Sequence, residues 1–263
     1  MLASGSAGNA AFLSTSKTRV LIDAGLSVKE LTRRLAEIGE KPEDLDAVLI
    51  THEHSDHISG LPVLVRARAK KKKPIAVFIS KLTAPMIEWE GMGGEGKNDP
   101  PPVEHFQSGT GWTVGDVNVQ SFGIPHDAED TVGFCLEAEG VKVGIATDLG
   151  YMPESIKYHL RGVHFLLLES NHAIEMLKVG PYPWSVKQRV MSRKGHLSND
   201  TTCEYIENDM DRNVQALILG HLSEQNNHPV LVRQGAQDSL LRRGISPRLV
   251  VAEQKMQTEV FTY

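Results

Sequence analysis

The 263-residue chain is poor in cysteine, with only Cys135 and Cys203. Two distant thiols make neither a disulfide framework nor a cysteine metal knuckle, so a reducing compartment is expected. No apolar run approaches the roughly 20 residues of a membrane helix, so no membrane contact is expected. The start, Met1-Leu2-Ala3-Ser4-Gly5, lacks the basic and long apolar regions of a signal peptide. A net charge of -5 offers no global attraction to nucleic acid, so any such contact must be a local basic patch. Tandem repeats, low-complexity tracts and linkers are also missing, and residues 1–263 read as a single domain. The glycine-rich stretch Ser4-Gly5-Ser6-Ala7-Gly8-Asn9 lacks the Lys-Ser/Thr ending of a Walker loop. It is either a tight turn or a loop whose backbone admits a ligand or a metal shell.

What the chain does have is Thr51-His52-Glu53-His54-Ser55-Asp56-His57, three imidazoles and two carboxylates within six consecutive residues. The preceding Ala47-Val48-Leu49-Ile50 is apolar and reads as a buried strand, and the following Ile58-Ser59-Gly60-Leu61 leads into a helix. A lone histidine is ordinarily a packed or solvated residue. Three in H-x-H-x-D-H order on one strand-to-helix loop point to a metal site, because neutral imidazole and carboxylate serve zinc, manganese and iron alike.

The same arrangement recurs along the chain. Ala10 to Leu13 and Arg19 to Ile22 form a predicted hairpin ending in Asp23, which either caps the turn or accepts the second N–H of a metal-bound imidazole. Ser27 is the predicted N-cap of a helix over 27–38, with Glu30 at the capping-box position. A helix after the histidine cluster runs to about Lys73, stopped by Pro74. Its basic end, with Arg66, Arg68 and Lys70 to Lys73, is either a solvated helix terminus or a phosphate-tracking patch. Ile75 to Ile79 is a predicted strand and residues 90–102 a long surface loop. Val114 to Gln120 reads as a turn plus strand, and His126 follows it as a third imidazole for a first metal. Phe134 to Ala138 and Val141 to Ile145 pair as a hairpin that leads to Asp148, whose two oxygens suit a bridge between two cations. Val163 to Leu168 runs into Glu169-Ser170-Asn171-His172, a polar density with no metal role assignable from spacing. Gly180 to Arg189 mixes aromatics and bases, which suits either stacking with phosphate contact or a proline-rich entry into an ordinary helix. His196 precedes a helix starting near Asn199 or Asp200. Val214 to Leu219 leads to His221, Pro229 opens a helix that Gly244 ends, and 248–252 and 257–262 read as closing strands.

Metal-type residues thus end at least five predicted strands: Asp23, the His52 cluster, His126, Asp148 and His221. Taken in order, they resemble the successive motifs of the metallo-β-lactamase superfamily over essentially the whole chain. The resemblance implies an α/β fold, a four-layer αββα sandwich with a dinuclear site at one edge of its two sheets. It implies that one metal takes His52, His54 and His126, that a second takes Asp56, His57 and His221, and that Asp148 bridges them. His at 54 differs from the Glu of flavo-diiron reductases. His57 and His221, with no cysteine at a ligand position, argue against the antibiotic-hydrolysing lactamases. His126 followed by Gly133-Phe134 is similar to the phosphodiesterase branch.

More narrowly, Ala3-Ser4-Gly5-Ser6-Ala7-Gly8-Asn9, the 51–57 run, Ala146-Thr147-Asp148-Leu149-Gly150-Tyr151, Glu169-Ser170-Asn171-His172 and Gly180-Pro181-Tyr182-Pro183-Trp184-Ser185 resemble the bacterial WalJ/YycJ family. That family usually has an acidic residue where this chain has Ala173, and the start at Met1 leaves little room for its first strand. The resemblance implies a cytoplasmic DNA exonuclease acting from the 5′ end, with a part in mismatch repair. Two adjacent cations would lower the pKa of a bridging water, so that hydroxide attacks phosphorus. His196 would be the general acid unless it is a solvated loop histidine, with Asp56 handling the proton of the water. Asp23 would orient a ligand, and Ser6, Asn9, His172, Trp184, Lys187 and Arg189 would contact substrate. The alternatives are a small-molecule ester hydrolase, such as a cyclic phosphodiesterase or thioesterase, and a non-catalytic metal-binding module.

Overall fold

Alternation of apolar side chains decides which face each strand buries. In Arg19–Ile22, Leu21 points one way and Val20 and Ile22 the other; in Ala47–Leu49, Val48 opposes Ala47 and Leu49. Strands with two apolar faces must be covered on both sides. A computed structural model describes residues 1–90, 92 and 101–263 and shows how. The strands are β1 (Ala11–Ser14), β2 (Arg19–Ile22), β3 (Ala47–Leu49), β4 (Ala76–Ser80), β5 (Val103–Phe106), β6 (Gly111–Val114), β7 (Val117–Gly123), β8 (Val132–Ala138), β9 (Val141–Ala146), β10 (Phe165–Glu169), β11 (Ala216–Gly220) and β12 (Arg248–Val251).

One sheet has the order β1-β2-β3-β4-β5, and the other β12-β11-β10-β9-β8-β7-β6. Val20, Ile22, Ala47 and Leu49 of the first meet Val119, Phe134, Leu136, Ile145 and Leu167 of the second in the inter-sheet core. Leu21, Val48 and Val77 pack outward against Leu31, Leu35, Leu61 and Leu64 of the helices Val28–Glu37 and Leu61–Lys70. Leu166, Leu168, Leu217 and Leu219 pack outward against Ile206, Val232, Ala236 and Leu240 of the helices Asn199–Asn208 and Pro229–Arg243. Helices, sheet, sheet and helices make the four-layer αββα sandwich.

Ser27 caps its helix by accepting from Glu30 N, as its position predicts. The helix after the histidine cluster is split: Ser55–Ile58, then Leu61–Lys70. The break comes where Gly60 N is drawn to Ala24 O at 2.8 Å. The second piece runs back from the histidine loop for about 15 Å. The basic end therefore lies away from that loop, and two of its cations are engaged in the scaffold. Buried Arg68 donates to the carbonyls of Pro42, Leu45 and Lys73, and Lys71 pairs with Glu43. That takes Arg68 and Lys71 out of the phosphate-tracking reading of this stretch.

Short, half-polar β5 and β6 escape the sequence pattern, yet Trp112 of β6 stacks on Phe106 at 4.4 Å and on Phe78 at 5.7 Å. Residues 257–262 form no strand. Thr258 N instead donates to Met1 O, and Phe261 packs on Phe165. Of the predicted 90–102 loop, 91 and 93–100 lie outside the described residues. Among those described, no helix is long and apolar enough to cross a membrane.

Candidate metal centre

β2 is parallel to β3, and β9, β10 and β11 are parallel to one another, and the residues at their ends deliver polar side chains to one edge. Asp23 follows β2, the 52–57 loop follows β3, Asp148 follows β9 and His221 follows β11. Three of these residues leave the strand in the left-handed region: Asp23 at φ 59, Asp148 at φ 61 and His221 at φ 56. Such backbone costs a non-glycine residue of the order of 1–3 kcal/mol, and it turns each side chain inward over the sheet edge. Packing holds them there. Ser4 Oγ accepts His221 N at 2.7 Å. Asn9 N donates to Asp56 O at 2.7 Å. Gly25 is indispensable, because a Cβ there would sit 1.7 Å from Asp56 O.

Among the described residues, four overlapping donor groups result; two involve Asp148, one with Glu169, His196 and His221 and one with His52 and His57, and the other two are separate sets. His52, His54 and His126 bring ligand atoms within 4.8 Å of one another, and so do Asp56, His57 and His221. Asp148 lies between them, with Oδ2 3.3 Å from His57 Nε2 and Oδ1 3.3 Å from His221 Nε2 and 3.9 Å from His126 Nε2. Each buried imidazole has one nitrogen committed elsewhere. His57 Nδ1 donates to Asp23 Oδ2 at 2.7 Å, His126 Nδ1 to Gly195 O at 3.1 Å and His221 Nδ1 to Glu169 Oε1 at 2.8 Å. The Thr51 hydroxyl donates to Asp23 and therefore accepts from His52 Nδ1 at 3.0 Å. These bonds select the tautomers that turn an Nε2 lone pair inward. His52 Nε2 and Asp148 Oδ2 are buried without any hydrogen-bond partner, and His126 Nε2 faces His54 Nδ1 at 3.3 Å. Converging lone pairs and orphaned buried acceptors fit divalent cations.

Electrostatics agree. Burial, then the neighbouring imidazoles, hold His52 well below its ordinary value, and burial lowers His126, so both stay neutral. Burial also opposes charge on His57 and His221. Asp148 and Asp23 outweigh it at His57, pushing it up to about 9, and Asp148, Asp56 and Glu169 raise His221 well above its ordinary value. The carboxylates thus demand positive charge at the centre, which a cation supplies in place of a proton.

Glu169 is the residue that the spacing missed. Fully buried at the end of β10, it accepts His196 Nδ1 and His221 Nδ1 on Oε1, each at 2.8 Å. Its Oε2 accepts Leu149 N and Leu197 N, each at 3.0 Å. The available signal was its place after Phe165-Leu166-Leu167-Leu168, like the other strand-end acids. It holds the His196 ring beside the centre, with Nδ1 3.8 Å from Asp148 Oδ1.

The six substrate-contact expectations divide. Ser6 is exposed on its loop, and Trp184 is 62% exposed at the start of the helix Trp184–Val190. Arg189 reaches the centre's rim through an ion pair with Asp127, which neighbours His126. Asn9 is buried, and its Nδ2 donates to Asp56 Oδ2 at 3.1 Å, so it orders the centre. Lys187 corrects the expectation: it is buried and its ammonium donates to Lys178 O at 2.7 Å, which holds it in the scaffold. His172 is buried, its Nδ1 has no partner, and burial pushes it down to about 4.

That depression has a sign. The folded chain holds His172 neutral while the unfolded chain takes a proton below about pH 6.5. Stability from this group is therefore complete above pH 6.5 and is lost as pH falls toward 4, by at most about 3 kcal/mol. Urea unfolding of chelator-treated protein at pH 7 and pH 4.5 should show a smaller loss in His172→Gln than in the wild type. Equal losses would mean that this imidazole is solvated.

The model of the beta-lactamase superfamily domain matches residues 18–222. Exodeoxyribonuclease WalJ of Streptococcus pneumoniae serotype 2 is 40% identical over 248 residues, covering 91% of this chain and 88% of that protein. Exodeoxyribonuclease YycJ of Bacillus anthracis is 34% identical over 245 residues, covering 93% and 89%. Among solved structures, the metallo-beta-lactamase fold protein YhfI from Bacillus subtilis shares the fold with a TM-score of 0.70. It is 16% identical, and the match covers 96% of this chain and 93% of that one.

Proposed function

The chain belongs to the β-lactamase superfamily of hydrolases and, within it, to the family of the WalJ and YycJ exodeoxyribonucleases, and from that premise we propose that it degrades DNA from the 5′ end by metal-dependent phosphodiester hydrolysis. The carrying observation is the pair of donor sets joined by Asp148. DNA as substrate is taken from the names of the two relatives. The reading extends to a single domain over 1–263, a cytoplasmic location and a part in DNA repair.

His52, His54 and His126 would hold one divalent ion, and Asp56, His57 and His221 a second, with Asp148 shared; zinc, manganese and iron all suit these donors. Bound there, the ions would make water nucleophilic near neutral pH and draw charge from the phosphoryl oxygens. The chain's residues do the rest. Asp56 takes up the proton of the attacking water. Water adds to phosphorus, the bond to the leaving oxygen breaks, and His196 Nε2 donates the proton that oxygen needs. Glu169, on His196 Nδ1, sets the tautomer and orientation. Asp23, Thr51 and the Gly195 carbonyl do the same for the ligand imidazoles. Ser6, Trp184, Arg189 and His172 would contact the incoming strand, and Asn9 steadies Asp56.

The test is degradation of 5′-phosphorylated duplex DNA with added manganese. The wild type should digest it and His54→Ala should not. His196→Ala should lose rate by about 10²–10⁴-fold with its metal content unchanged. Loss of metal in His196→Ala removes the general-acid role. A wild type inert on DNA but active on a cyclic phosphodiester would instead identify a small-molecule ester hydrolase.

A further inference from the structure

The segment 184–194 carries four cations, and the structure sorts them. Lys187 is tied to Lys178 O, and Arg189 is neutralised by Asp127. Arg193 and Lys194 are exposed, and among the described residues neither side chain has an ion pair or a hydrogen bond. Arg193 lies over the Tyr151 ring at 4.0 Å. A guanidinium held over a ring without hydrogen-bond partners keeps its N–H donors free for a phosphate.

Both residues sit on a fixed turn. Met191 N donates to Lys187 O at 3.0 Å, Gly195 N to Ser192 O at 2.9 Å and His196 N to Val190 O at 3.0 Å. The turn presses on the strand end that carries Asp148: a Cβ on Gly150 would lie 2.3 Å from the Arg193 carbonyl carbon. Two residues beyond Arg193, Gly195 O holds His126, and the next residue is His196. Three residues of chain span at most about 11 Å, so the backbone that carries the free cations lies close to His196. The rim on the His54 and His126 side is acidic, with Glu53, Asp127, Glu129 and Asp130.

We propose that Arg193 and Lys194 form a site for the terminal 5′-phosphate of the strand being digested, with Tyr151 positioning the guanidinium; this rests on the nuclease reading above. Hydrolysis that leaves phosphate on the 5′ end of the remaining strand adds water to phosphorus and breaks the P–O3′ bond, and the proton from His196 goes to the O3′ of the departing nucleotide. That nucleotide therefore lies on the His196 side, and its own 5′-phosphate falls toward the turn that carries His196. A terminal phosphate is a dianion near neutral pH, and two adjacent unpaired cations match it better than an internal monoanionic phosphate. Such a site favours a chain end over an internal position.

The experiment compares manganese-loaded wild type, Arg193→Ala, Lys194→Ala and Lys17→Ala on duplexes ending in 5′-phosphate or 5′-hydroxyl, with bis(p-nitrophenyl) phosphate as a third substrate. Lys17 lies on the exposed turn between β1 and β2, at the opposite end of the sheet. Wild type should favour the 5′-phosphate. Arg193→Ala and Lys194→Ala should each lower kcat/KM on that end, through KM, on the order of tenfold. They should leave the 5′-hydroxyl end and the small diester unchanged, and Lys17→Ala should change nothing. Tyr151→Phe should behave as wild type and Tyr151→Ala should lose part of the preference. An undiminished 5′-phosphate preference in Arg193→Ala, or an equal loss on both ends, overturns the site while the nuclease reading stands. A wild type that cleaves only the small diester overturns both.

Discussion

Asp148→Asn should abolish activity and cut the metal content below that of the wild type, with little change in fold. Asparagine is the chosen replacement because position 148 has φ 61, a left-handed conformation that Asn tolerates and Ala does not. It also keeps the shape of a side chain that is 2% exposed. What it removes is the negative charge whose Oδ1 and Oδ2 each lie 3.3 Å from an imidazole of the second donor set and which also faces His126 at 3.9 Å. No other carboxylate reaches both donor sets in this way among the described residues. Losing several kcal/mol of charge stabilisation in the transition state corresponds to a rate loss on the order of 10³ or more. Elemental analysis of protein purified without chelator and rates on 5′-phosphorylated duplex read the two consequences separately. A variant that keeps full metal and wild-type rate would show that the two donor sets do not share this carboxylate.

The metal-type residues were legible because strand ends repeat a simple pattern, an apolar run that closes on Asp or His. That pattern is local, and so are the Ser27 cap and the Pro229 and Gly244 limits of their helix. Two kinds of information were not local. The first is conformation: Asp23, Asp148 and His221 turn inward through positive φ, which no apolar periodicity reports. The second is pairing. Glu169 follows an apolar strand as plainly as Asp148 does, but its role depends on His196 and His221, 27 and 52 residues away. Likewise Lys187, Arg189, Arg193 and Lys194 look equivalent in a basic stretch. Only the fold reveals that the first two are engaged and the last two open. β5 and β6 were missed for a related reason. They are short and lie at sheet edges, and Trp112 owes its place to aromatic partners on β4 and β5.

The second large effect belongs to Glu169→Gln. One carboxylate serves four donors: Oε1 takes two imidazole N–H groups and Oε2 two backbone N–H groups. A glutamine amide has one acceptor oxygen, so its NH2 must face either the imidazoles or the backbone pair, leaving buried donors opposed. Leaving a buried charged network short of its partner costs about 3–5 kcal/mol of stability, so urea unfolding should show the loss directly. The catalytic effect acts through two residues at once. His221 loses the bond that turns its Nε2 inward, which should weaken metal affinity by about 10–100-fold. His196 loses the bond that fixes its ring for the proposed proton donation, which should lower kcat. Excess manganese should therefore restore occupancy but not rate, whereas a purely structural defect would recover or fail on both together. Because His196 depends on Glu169, the two deletions should not add: Glu169→Gln with His196→Ala should turn over no more slowly, at saturating metal, than the worse single variant. Multiplicative losses would mean that the carboxylate and the imidazole act independently. In that event the proton for the leaving oxygen does not come through this pair.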